Sequence, residues 1–165
     1  MADTARMGLP LLDAGQAQKE MTVNEALARL DLLTQASVIA VGLDTPPGAP
    51  AAGQAWIVGG APSGAWAGQA RALAGWTSGG WRFVPPCDGM TVWSEADGCA
   101  ATYVDGAWRV GRLSGQRVEI DGVPVVGPRR AAIDAPAGGG VVDAEARVVL
   151  AAVLAALRDH GLIAA

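Results

Sequence analysis

The sequence is poor in the residues on which most catalysis and metal binding depend. It has one histidine, His160, and two cysteines, Cys87 and Cys99, without a Cys-x-x-Cys spacing. A Ser/His/Asp or Cys/His site needs a histidine held beside its nucleophile, and a zinc site needs several His or Cys ligands. No metal and no cofactor are therefore expected. Carboxylates are spread out, and Glu95 and Asp97 form the only close pair in the body, where a glycosidase would set two across a sugar cleft. Neither GxGxxG leading into a helix nor GxxxxGK[ST] occurs, so nucleotide binding has no motif behind it. The expectation is that the protein is not an enzyme.

Lysine is almost missing. Among twelve basic residues only Lys19 is lysine, the formal net charge is −4, and the one basic cluster is Arg129-Arg130. Nucleic acid requires a basic face, and none is written here. No run approaches the roughly 18 apolar residues that span a bilayer, which argues against membrane insertion. Met1 to Leu12 lacks the charged-then-apolar order of a secretory signal, so synthesis and assembly in the cytoplasm are expected. Aromatic residues are scarce too, yet six of the eight are tryptophan, a side chain that concentrates binding energy through a large flat surface and one N–H donor.

What is present falls into segments. Residues 1–14, interrupted by Gly8 and Pro10, read as an extended docking arm. From Gln16 to Ala36, Met21, Val23, Ala26, Leu27, Leu30, Leu33 and Thr34 recur at helical spacing and predict an amphipathic helix that packs on its own sheet or serves a subunit interface, with Thr22 or Asn24 as N-cap if it starts late. Ser37 to Leu43 reads as a strand, Asp44 to Gly53 as a Pro/Gly turn, and Gln54 to Val58 as a second strand. A loop from Gly59 to Gly68 carries Trp66, either pinned in a pocket or shown to a partner.

The chain then repeats itself. Trp76-Thr77-Ser78-Gly79-Gly80-Trp81-Arg82 and Tyr103-Val104-Asp105-Gly106-Ala107-Trp108-Arg109 share the pattern aromatic-x-x-Gly-x-Trp-Arg. Each copy predicts a β-hairpin, with Ser78-Gly79 and Asp105-Gly106 at the turns and the aromatics paired across the strands. Between them, Gly89 to Ser94 predicts another strand. Arg117 to Val126 adds a hairpin with Pro124 at an edge, and residues 127–140, rich in Gly, Ala and Pro, read as a linker. Asp143 to His160 predicts a helix with Asp143 as N-cap and Gly161 beyond its end.

The fold class that follows is α+β: a small antiparallel Trp-rich β-meander or sandwich, an N-terminal amphipathic helix and a C-terminal oligomerisation helix. The expected divisions are an arm over 1–14, a helix plus β-domain over 15–126, a linker over 127–140 and a terminal helix over 141–165. Val149, Leu150, Val153, Leu154 and Leu157 are the candidate oligomerisation residues. Trp66, Trp76, Trp93 and Tyr103 are candidate contacts for a glycan or partner, since sugar rings stack on aromatic planes; packing the core is the other role open to them.

Several runs resemble a known family. Leu9-Pro10-Leu11-Leu12-Asp13-Ala14-Gly15-Gln16-Ala17-Gln18-Lys19-Glu20-Met21-Thr22-Val23-Asn24-Glu25-Ala26-Leu27, Pro46-Pro47-Gly48, Gly53-Gln54-Ala55-Trp56-Ile57-Val58, Gly64-Ala65-Trp66-Ala67-Gly68 and Gly80-Trp81 resemble DUF2793, found in alphaproteobacterial prophages and in gene transfer agents. The stretch covered is roughly Leu9 to Arg112. The segments Val142 to Arg147, Leu154 to Arg158 and Gly161 to Ile163 also look like the closing helix of phage tail-fibre proteins. The resemblance implies a virion component, as a spike, a fibre or the base of either, that contributes to host-cell attachment. Its implied partners are copies of itself, as a trimer or else a pentamer at a capsid vertex, together with other virion proteins and host capsular or surface polysaccharide. The rival reading is a carbohydrate-binding module acting through exposed tryptophans.

Overall fold

The structure is a computed structural model that describes residues 2–13, 15, 19–141 and 143–164. It divides into two compact units, Met1–Arg112 and Leu113–Ala165. In the first, helix α1 (Lys19–Leu33) precedes eight strands: β1 (Ser37–Val38), β2 (Val41–Leu43), β3 (Ala55–Val58), β4 (Leu73–Thr77), β5 (Gly80–Val84), β6 (Thr91–Ser94), β7 (Cys99–Val104) and β8 (Ala107–Val110). They form two four-stranded sheets, in the orders β1-β6-β7-β8 and β2-β3-β4-β5. Pairing is antiparallel except for β1 on β6 and β2 on β3, which are parallel.

The α+β class and the tryptophan hairpins are present, and of the two arrangements expected, meander or sandwich, the hairpins take the two-sheet one. The segment Ser37 to Leu43 explains the division. It is not a single strand, because the chain changes sheet at Ile39-Ala40. The Ile39 N–H donates to Ala55 O of β3 at 2.8 Å, while Ile39 O accepts at 3.1 Å from the Ala96 N–H in the turn between β6 and β7, so one residue is bonded to β3 of one sheet and to a turn of the other.

Strand alternation distributes the core. On β3, Ala55 and Ile57 face a cluster with Leu32, Val38, Leu73, Val92 and Ala101, contributed by α1 and both sheets. Trp56 and Val58 face the other way, into Trp66 and Ala74, with Trp76, Trp81 and Phe83 partly buried at the margin. Each large aliphatic side chain buried here contributes about 1.5–3 kcal/mol.

α1 presents the opposite face to the one expected. Its buried residues are Asp31 and Leu32, whereas Met21, Val23, Leu30 and Leu33 are exposed. The sheet surface beneath it explains why. Leu32 occupies the space above Gly75 of β4, where a Cβ would overlap its methyl groups. Asp31 sits beside it and must be satisfied, since a buried unpaired carboxylate costs several kcal/mol. Its carboxylate accepts from Thr4 Oγ1 at 2.8 Å, the Arg6 N–H at 3.0 Å and the Met7 N–H at 2.6 Å.

The arm is accordingly neither extended nor free. It doubles back through an Asp3–Pro10 bridge and docks on its own helix. The Arg6 guanidinium reaches the carbonyls of Asp31 (2.8 Å), Leu32 (3.1 Å) and Gln35 (3.0 Å), occupying acceptors that a helix C-terminus leaves unpaired. Residues 16–18, the opening of the expected helix, lie outside the described residues. Thr22 and Asn24 fall within α1 and are not its N-cap; Asn24 instead pairs through its side chain with both backbone groups of Leu12, at 2.9 and 3.0 Å.

Both repeat hairpins form, with Trp76 opposite Trp81 and Tyr103 opposite Trp108. Asp105 and Gly106 take the left-handed conformation expected of them, at φ 51° and 71°. In the first hairpin that position is Gly80, at φ 95°, and not Ser78-Gly79. There Thr77 Oγ1 accepts from the Gly79 N–H and donates to Gly80 O, which fixes a different turn.

The second unit contains the hairpin β9 (Val118–Ile120) and β10 (Val123–Val126), followed by helix α2 (Ala144–Asp159). The hairpin groups with the terminal helix and not with the β-domain to which residues 15–126 were assigned. Among the described residues its two strands pair only with each other, and none of their residues is buried. Asp143 caps α2, accepting from the Ala146 N–H at 2.9 Å, and Gly161 follows the end at φ 70°. The stretch read as a linker runs back along the helix. Arg147 donates to the carbonyls of Pro136 and Gly138, Arg158 to that of Ile133, and Arg130 forms a parallel bridge with Ile163.

Gly75→Ala is expected to destabilise the first unit by about 1–3 kcal/mol, because Leu32 must move. Gly48→Ala, where a Cβ meets nothing within 4 Å, should stay within about 0.5 kcal/mol. Urea unfolding of both variants beside the parent measures the difference.

Candidate functional site

The four aromatic residues singled out from sequence do not share a surface. Trp66 sits in a single 3-10 turn, Gly64–Trp66, with its side chain fully buried. It packs against Trp56 (ring centroids 6.3 Å apart) and edge-on to Trp81 (5.1 Å), so it is a core residue and not a contact for a glycan. Trp76 is half-buried in the same cluster, edge-on to Trp81 at 5.0 Å. Tyr103 is half-buried against Trp108 at 5.4 Å, on the face of its sheet that looks into the core. Only Trp93 presents its ring to solvent, at 51 % exposure.

Trp93 lies on the outer face of the β1-β6-β7-β8 sheet. Along β6 the burial alternates, with Thr91 and Trp93 outward and Val92 and Ser94 inward. Its lateral partners are Ser37 on β1 and Ala100 on β7. Ser37 Oγ donates to Glu95 Oε1 at 2.9 Å, and the Thr91 and Thr102 hydroxyls are bonded across the strands at 3.1 Å. Arg109 of β8, opposite Thr102, is exposed on the same face.

A second feature was not anticipated from sequence. The arm, α1 and the β4–β5 hairpin border an open cleft of about 760 Å³ lined by Thr4, Leu11, Met21, Glu25, Leu32 and Arg82, among others. Glu25 accepts from Arg82 Nε at 2.6 Å and from Arg29 Nε at 3.1 Å. With Asp31 held by the arm and Asn24 by Leu12, the charged and amide groups around the cleft are largely committed to one another. This arrangement fastens α1 to the hairpin. Glu25 and Arg82 are 57 residues apart, and no local pattern pairs them. Among the described residues, no three His, Cys, Asp or Glu side chains converge as a metal set would.

The helices carry the remaining candidates. On α1 the outward residues Val23, Ala26, Leu30 and Leu33 follow the three-four-three spacing of a coiled-coil seam. On α2 the five oligomerisation candidates divide. Leu154 is buried and Leu157 half-buried within the unit, whereas Val149, Leu150 and Val153 are exposed.

The first unit is thus a small two-sheet α+β domain with one aromatic-bearing polar face and an outward apolar helix. Residues 23–109, just over half of the chain, match the family described as Protein of unknown function (DUF2793), and the chain belongs to that family. The match runs from within α1 into β8 and includes neither the arm nor the second unit. No curated protein matches the chain.

Truncating the tryptophans separates core from surface. Trp66→Ala is expected to cost about 3–5 kcal/mol. Trp93→Ala should change stability by no more than about 1 kcal/mol, because its ring leaves no buried cavity behind. Thermal and urea unfolding read both.

Proposed function

We propose that the protein is a structural component of a phage-like particle or gene transfer agent, as a spike, a fibre or the base of either. It assembles as a homo-oligomer and contributes to host-cell attachment. The observation that carries the reading is the chemistry of α2. From Val148 to Leu157, ten consecutive residues have no charged or polar side chain, yet only Leu154 among them is buried. A helix that is apolar all round is stable when it is enclosed all round.

The rest of the second unit points the same way. Val118, Ile120, Val123 and Val125 are each more than half exposed, and Leu113 and Val141 almost fully so. A unit this small cannot leave so much apolar surface in water and retain a core of its own. Copies of the same chain around a rotation axis supply what is missing, since each brings the same apolar surface. A trimer suits a fibre and a pentamer a capsid vertex. The outward seam of α1 gives the first unit a second place to meet its copies.

The setting rests on resemblance: the runs Leu9 to Leu27, Gly53 to Val58 and Gly64 to Gly68 resemble those of prophage and gene-transfer-agent proteins, which implies a fibre or spike role, while the matched family itself is described as of unknown function. The working location is then the virion, and the other partners are neighbouring virion proteins.

Light scattering of the full-length protein should give a defined oligomer at micromolar concentration, with a trimer expected. Val149→Glu with Val153→Glu places charge on the outward face of α2 and should lower the mass to monomer. A parent that is monomeric throughout would overturn the assembly reading.

A further inference from the structure

Trp93 is unusual for a strand residue of this fold. It stands on β6, in the interior of its sheet, and the buried requirements of that strand are already met on the other face by Val92 and Ser94. Nothing in the core needs an indole there. Both side chains beside it are small, Ser37 and Ala100, so the ring is not covered laterally.

The surroundings of the ring are polar. Glu95 has one carboxylate oxygen bonded to Ser37, which leaves the other for a ligand. The Thr91–Thr102 hydroxyl pair lies one step along the face. Beyond it, two strand spacings from β6, or roughly 10 Å, is Arg109, which forms no salt bridge among the described residues. The ring is not part of a contiguous apolar patch of the kind that marks a protein interface, since Val104, the exposed aliphatic residue of β7 on this face, lies four residues along the strand from Ala100. A single flat aromatic framed by hydroxyls, a carboxylate and a guanidinium matches a different ligand, one with an apolar face and a polar edge.

We propose that this face is a saccharide-binding platform about two sugar rings long. One pyranose lays its C–H face on the Trp93 indole, where the electron-rich ring meets the slightly positive hydrogens. Its hydroxyls donate to the free oxygen of Glu95, and the Arg109 guanidinium donates to oxygens of the neighbouring ring. The inference deepens the attachment half of the reading above and rests on it for the source of the glycan. The stacking chemistry belongs to the face itself, which lies wholly within Met1–Arg112.

The test uses the full-length protein, with its mass measured by light scattering, on an array carrying free di- to hexasaccharides in one arm and intact bacterial surface polysaccharides in the other. Binding in either arm is expected. Trp93→Ala should weaken it about tenfold or more, Arg109→Ala several-fold, and Trp93→Phe much less than Trp93→Ala, with far-UV circular dichroism unchanged in all three. Binding by the oligosaccharide arm identifies the epitope, and binding by the polymer arm alone identifies a multivalent source; both support the platform when they depend on Trp93. No binding in either arm, or binding that Trp93→Ala leaves intact, overturns it. A monomer that binds sugar through Trp93 counts against the assembly reading alone, and an oligomer that binds none counts against the platform alone.

Discussion

The first unit depends on keeping the buried Asp31 carboxylate hydrogen-bonded. A buried polar group is tolerable only with partners on it, and three donors come from the arm. Meeting that demand folds the arm back, turns the polar side of α1 inward and sets Leu32 over Gly75. The same rotation leaves Val23, Leu30 and Leu33 outside. The exposed seam is a consequence of the buried acid.

How much of this was legible in the sequence follows from the range of each interaction. Period-two patterns and turn residues are local, so the repeat hairpins, the Asp105-Gly106 turn, the β9–β10 hairpin and the Asp143 cap could all be read directly. The orientation of α1 could not. A helical stripe tells which residues share a face but not which face meets the sheet, and here Asp31 and Leu32 are the residues buried in place of the apolar stripe. Gly75 held the missing information, because a glycine inside a strand signals that something approaches closely. The Ser37–Leu43 segment failed for a related reason: the register shifts between Val41 and Leu43, and the change of sheet is carried by backbone bonds to Ala55 and Ala96 that no side-chain pattern records.

The candidate site was legible only in part. Composition identified tryptophan as the residue to follow, and Trp93 is the one that meets solvent. Trp66 looked available because its loop is rich in glycine and alanine, yet those small residues are what allow the loop to close over it. The neighbours that give the Trp93 face its chemistry, Ser37, Thr102 and Arg109, come from three other strands and become neighbours only through pairing.

The change of sheet at Ile39-Ala40 has a mechanical consequence. Because β1 and β2 follow one another in the chain, each paired in parallel with a different sheet, tension on that segment is shared between two sets of hydrogen bonds that lie across the pull. Bonds loaded together in shear resist far more than bonds opened one after another. Neither β1 nor β2 can slide along its partner without drawing on the other, which couples the two sheets through Ile39-Ala40.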